Sequence, residues 1–123
     1  MDFSEKYIRM CQKAKEIQKK WKGSGWDFVY VSRDKFLGLK QDSWRSSDYC
    51  IWLPRQDQLQ KIITNKGYFR FSLIELFYHF ANRNVDKYTS MEQLWLAFVM
   101  WHKYKKIWDN KKEEWIKKEN NYL

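Results

Sequence analysis

Cys11, Cys50, His79 and His102 are the side chains best suited to nucleophilic, acid–base or metal chemistry, and their spacing argues against each. Neither cysteine has a second Cys or His two to four residues away, the separation that paired zinc ligands need. The histidines fall on separate predicted helices, so they make no helical metal pair. A lone His on an apolar helix is more simply a packed or capping side chain. Cys50 and a distant His could be drawn as nucleophile and base, but any small protein offers such a pair, and only hydrogen-bond reach would make it one. Glu113 and Glu114 sit side by side in a charged tail and read as solvated. No glycine-rich phosphate loop is present. No catalytic residue, metal ligand or cofactor is assigned, and the chain reads as a non-enzymatic protein.

The aromatic and basic residues offer a different chemistry. Eight Trp, eight Tyr and eight Phe occur in 123 residues, and 24 Lys and Arg against 15 Asp and Glu leave a net charge of +9. Such a surface favours anionic partners: nucleic acid, nucleotides, acidic protein faces or anionic lipid. Lys outnumbers Arg, which weakens the case for specific phosphate readout, since Lys offers a point charge and Arg a bidentate fork. Arg33, Arg45 and Arg55 fall at strand ends and in loops, with Trp44 and Tyr49 nearby in sequence. Aromatic faces stack on bases, and Arg adds phosphate or cation–π contacts. Lys19, Lys20 and Lys22 close the first helix and could lie along a phosphate backbone. These eight residues are the candidate binding site. The simpler reading is that the Trp residues are core and the charges keep an aromatic-rich chain in solution.

The elements that must position them follow from periodicity. Phe3, Tyr7, Met10, Ala14, Ile17 and Trp21 step by four and three, which predicts an amphipathic helix over 3–21 ended by Gly23-Ser24-Gly25. Residues 26–31, 36–39 and 49–53 predict three strands in an antiparallel meander. Pro54 suits a first helical turn, with Leu59, Ile62 and Ile63 on one face. Ser72 to Glu75 and Ser90 to Gln93 have the form of capping boxes, starting helices that run to about Arg83 and past His102. The second is apolar nearly all round, the mark of a central core helix. Asp109-Asn110 offers a break, and the last residues are expected to fray.

The expected fold is thus a single α+β domain over 1–123. It has an N-terminal amphipathic helix, a small three-stranded antiparallel sheet and three C-terminal helices. The core helix is expected to pack with helix 3–21 against one sheet face; a mainly helical arrangement with a residual hairpin is the alternative. Two cysteines without a signal peptide read as reduced and buried. With no membrane-spanning stretch, the expected location is the cytoplasm of a host bacterial cell.

Three blocks in order, Met10 to Gln18, Cys50-Ile-Trp-Leu-Pro-Arg-Gln-Asp-Gln-Leu-Gln60 and Tyr88 to Met100, resemble a family of small uncharacterised proteins of tailed phages and prophages of Gram-positive bacteria. Lys103 to Trp108 continues the last block, and Glu113-Glu-Trp115 resembles its ending. The family has no assigned chemistry. Residues 26–48 match none of its pattern, and Trp101-His102 stands where charged residues are expected. The resemblance implies a phage-encoded binding protein that interferes with a host process, antiviral defence such as a CRISPR effector foremost. It would act by occupying a surface of a host protein or nucleoprotein complex. Two alternatives stay open. One is sequestration of a host nucleotide signal in a pocket that includes Trp44, Arg45, Tyr49 and Arg55; the other is direct nucleic-acid binding in phage replication. The apolar C-terminal helix is also compatible with a homo-oligomer.

Overall fold

The computed structural model describes residues 1–23, 26–39, 50–64 and 70–118. The fold is α+β, with an N-terminal helical segment, a three-stranded antiparallel sheet and helices that follow it. The expected helix 3–21 is divided at Ala14 into α1 (Glu5–Lys13) and α2 (Lys15–Gln18). Ala14 has ψ of 75°, outside the helical range. Its stripe survives the break: Tyr7, Met10, Ala14, Ile17 and Trp21 are all buried. Ser4 caps α1, its Oγ accepting from the Tyr7 N–H at 3.2 Å.

β1 (Phe28–Val31), β2 (Phe36–Leu39) and β3 (Cys50–Leu53) form one sheet in the order β2-β1-β3. The expected meander would place β2 in the middle; β1 is there instead. The reason lies in the side chains. β1 has β-branched Val29 and Val31 on one buried face, whereas Leu37, Leu39 and Gly38 of β2 suit an edge. β3 forms the other edge, buried at every position, and α1 lies against it. Its free backbone at Trp52 is completed by the Gln18 side chain. The amide Nε2 donates to Trp52 O at 2.9 Å, and Oε1 accepts from the Trp52 N–H at 2.9 Å. One side chain thus does what a further strand would do.

α3 (Gln56–Thr64) buries Leu59 and Ile63 and packs along α5 (Met91–Tyr104). α4 (Arg70–Asn84) is already helical at Ser72. The expected cap at Ser72 and Glu75 is therefore interior, since a cap residue must have non-helical backbone. The expected cap of α5 is present: Ser90 Oγ accepts from the Gln93 N–H at 3.1 Å. Gln93 is fully buried, and its amide ties Thr89 and Asp2 together. α5 is the central helix, with Leu96 to Met100 buried. α1 lies between it and β3, so the core helix reaches the sheet chiefly through α1.

Beyond α5 the chain forms a hairpin, β4 (Lys106–Asp109) with β5 (Glu114–Lys117). Asp109 is the expected break, but the break is a reversal. Its Oδ1 accepts from the Lys111 and Lys112 N–H groups at 2.9 and 3.1 Å. Trp108 enters the core at 2% exposure, edge-on to Trp115 at 5.1 Å. Trp115 Nε1 donates to Met10 O at 3.0 Å, which locks the hairpin onto α1.

Candidate functional site

Five of the eight candidate residues lie among the described residues; Trp44, Arg45 and Tyr49 lie outside them. Arg33 is exposed in the β1–β2 turn, 3.6 Å from Asp34. Arg55 lies at the opposite end of β1, beside Asp27. At about 3.3 Å per extended residue, the length of that strand separates the two arginines, so the fold does not gather them into one site.

The Arg55 end is built closely. Asp27 is 4% exposed and accepts from Trp21 Nε1 at 2.7 Å and from Gln58 Nε2 at 2.7 Å. Arg55 Nη1 stands 4.0 Å from the same carboxylate and donates to Trp26 O at 3.2 Å. Its Nε also donates to Asp57 at 3.0 Å, and this bond holds the Asp57 carboxyl below its usual range. Arg55 is thus a structural fastener at the junction of β1 and α3. The Trp26 ring, next to this fastener, is 77% exposed. Trp21 is buried and stacks on Trp52 at 6.4 Å. The Trp21–Asp27 bond therefore ties the segment bearing exposed Lys19, Lys20 and Lys22 to the segment bearing Trp26. Sequence reading placed Trp26 in a strand; only the fold shows that its ring faces out.

A second feature lies elsewhere, where the end of α4 meets α5 and β4. A cavity of about 250 Å³ is lined by Phe80, Arg83, Lys87, Tyr88, Trp101 and Lys106, among others. Asn84 Nδ2 donates to Phe80 O at 2.8 Å, and the Lys87 N–H donates to Asn84 O at 3.0 Å, which turns the chain out of α4. Tyr88 is buried, with Lys6 Nζ 5.2 Å and Lys87 Nζ 5.7 Å from its ring centre. Lys118 Nζ stands 5.0 Å from the Trp101 ring centre. Burial lowers the pKa of Lys87, and the nearby Lys6 adds to this while Asp109 opposes it. Desolvation likewise lowers Lys118, with Lys105 and Arg83 repelling it. Lys106 is paired with Glu16, whose carboxyl is held low by that bond against the opposing effect of burial. Sequence reading missed this cluster because its members come from segments far apart, and Arg83 and Lys87 looked like part of a helix end and its link.

Of the remaining candidates, Cys11 and Cys50 are buried and form no disulfide, and burial pushes the Cys11 thiol well above its ordinary value. His79 is exposed on α4, and His102 packs face to face with Phe98 at 5.6 Å. Among the described residues, no group of three His, Cys, Asp or Glu could hold a metal ion, and no helix is long and apolar enough to cross a membrane. No protein-family model, curated protein or solved structure matches the chain.

Proposed function

We propose that this chain is a non-enzymatic binding protein of a phage or prophage, and that it interferes with a host process, antiviral defence foremost. It occupies an acidic face of a host protein or nucleoprotein complex. The observation that carries this reading is the outward Trp26 ring on a base fastened by Asp27 and Arg55, in a segment that the Trp21–Asp27 bond ties to the one bearing exposed Lys19, Lys20 and Lys22. Trp is the residue type most enriched at the energetic centre of interfaces, and a rim of cations steers an acidic partner towards it. Fastening the base keeps the ordering cost of binding low.

A tagged pull-down from host lysate, with and without nuclease, tests the reading. The expected result is a stoichiometric protein that survives nuclease and is lost with Trp26→Ala. At about 2 kcal/mol for an anchoring Trp, affinity should fall roughly thirty-fold. Lys19→Glu, Lys20→Glu and Lys22→Glu together should slow association chiefly. An unchanged partner with all four substitutions would remove this face from the mechanism.

Direct nucleic-acid binding is the second reading, favoured by the same ring, since an exposed indole on a basic chain is a stacking platform. It requires affinity to fall steeply with salt, as phosphate contacts release counterions. A flat salt response excludes it.

A further inference from the structure

The geometry points to a second binding site: the cavity between α4, α5 and β4 takes a small phosphomonoester of about nucleotide size, its phosphate held by Arg83 and Lys87. Folding collects like charges here from separate parts of the chain. Arg83 comes from α4, Lys87 from the link to α5, Lys106 from β4, Lys6 from α1 and Lys118 from beyond β5. Bringing cations together is unfavourable unless something offsets it. Among the carboxylates that act on them are Glu16 on Lys106, Asp109 on Lys87 and Asp2 on Lys6. Arg83 is exposed and forms no ion pair among the described residues.

A bound dianion would neutralise this excess. The Arg83 guanidinium supplies the planar fork that matches two phosphate oxygens, and the Lys87 ammonium supplies a point charge. Lys87 is already partly desolvated against Tyr88, so it loses little further hydration on contact with an anion. Phe80, Ala97, Trp101 and Ile107 give the cavity an apolar wall, while Asn84 and Lys106 add polar groups to its lining. At about 250 Å³ the cavity approaches the roughly 300 Å³ lower bound of small-molecule pockets. That is more than a bare phosphate fills, and the excess volume lies against apolar side chains. The ligand class is therefore a phosphate carried on a compact, partly apolar organic group.

Calorimetry on the full chain, with adenosine monophosphate, inorganic phosphate and adenosine as separate probes, tests this. The monophosphate should bind at least ten-fold more tightly than either fragment, because each fragment meets only one wall. Arg83→Gln with Lys87→Gln should weaken it by ten-fold or more and leave the melting temperature equal or higher, since Arg83 is removed from Lys118 and Lys87 from Lys6, each a repelling cation. Arg83→Gln alone carries the test if the double variant fails to fold, because its side chain is solvent-facing. Phosphate binding as tightly as the monophosphate would overturn the proposal, as would no binding of any probe or binding indifferent to Arg83. Trp26→Ala should leave monophosphate binding unchanged, so this inference and the docking reading can fail separately.

Discussion

Replacing Asp27 with Asn changes one oxygen to an amide and almost nothing in shape, so it isolates what the carboxylate does. In the wild type each oxygen accepts a short bond: Oδ2 from Trp21 Nε1 and Oδ1 from Gln58 Nε2, both at 2.7 Å. Asn offers one acceptor, so its NH2 must face one of those two donors. One bond to a charged group disappears, worth about 1.5–3 kcal/mol, and a buried donor is left unsatisfied at about 1–3 kcal/mol. The two figures overlap because both describe the same lost bond, so an expected cost is about 2–4 kcal/mol. The Arg55 guanidinium, 4.0 Å from Oδ1, loses its attraction to this group but keeps Asp57. Urea unfolding followed by tryptophan fluorescence measures this, with the midpoint falling and the slope unchanged. Gln58→Leu, which deletes one of the donors, should be partly non-additive with Asp27→Asn, because the two share a bond. Asp27→Asn within about 0.5 kcal/mol of wild type, the range of an ordinary surface change, would refute the claim that this carboxylate fastens the base of the Trp26 face.

Other outcomes follow from the same structure. Trp108→Ala should cost about 3–5 kcal/mol, because a buried indole is removed and the hairpin loses its hold on the core; circular dichroism melts read it, and a loss under 1 kcal/mol would mean that the hairpin is dispensable. Asp2, Glu16 and Asp57 all titrate below their ordinary values of 3.8, 4.5 and 3.8 when folded. For Asp2, burial acts upward and is outweighed by bonds from Ser90, Ser4 and Gln93. The unfolded chain therefore takes up these protons first as pH falls, so their stabilisation is complete above the ordinary carboxylate range and lost as pH drops through the folded values. Melting temperatures should be lower at pH 3 than at pH 6, and a flat profile would count against those bonds. Cys11 and Cys50 should resist a thiol reagent in the native chain and react fully in urea; rapid native labelling of both would contradict their burial.

Much of the architecture was legible because it depends on local rules. The stripe from Tyr7 to Trp21, the cap at Ser90 and the apolar helix around Leu96 to Met100 are all read from spacings of three and four, and the structure has them. What escaped depends on pairing. Lys106 to Asp109 and Glu114 to Lys117 do alternate, but four-residue strands give a weak period, and their charge resembled the end of the core helix and a solvated tail. The sheet order was hidden because β1 and β3 pair across a long connection. The broken helix at Ala14 accompanies Gln18 reaching Trp52, a contact that no local period encodes.

The candidate site divides in the same way. Sequence alone determined that the chain is basic, aromatic-rich and able to bury a core with amphipathic helices, since charge, composition and period are additive along the chain. It also singled out Arg55, Lys19, Lys20 and Lys22. Only the tertiary structure decided their roles. Arg55 reaches buried Asp27 and exposed Asp57, Trp26 turns outward, and Arg83, Lys87 and Lys106 meet around one cavity. The physical reason is that a side chain's exposure and neighbours are set by long-range packing of α1, α5 and the hairpin, and the residues so brought together stand far apart in the chain.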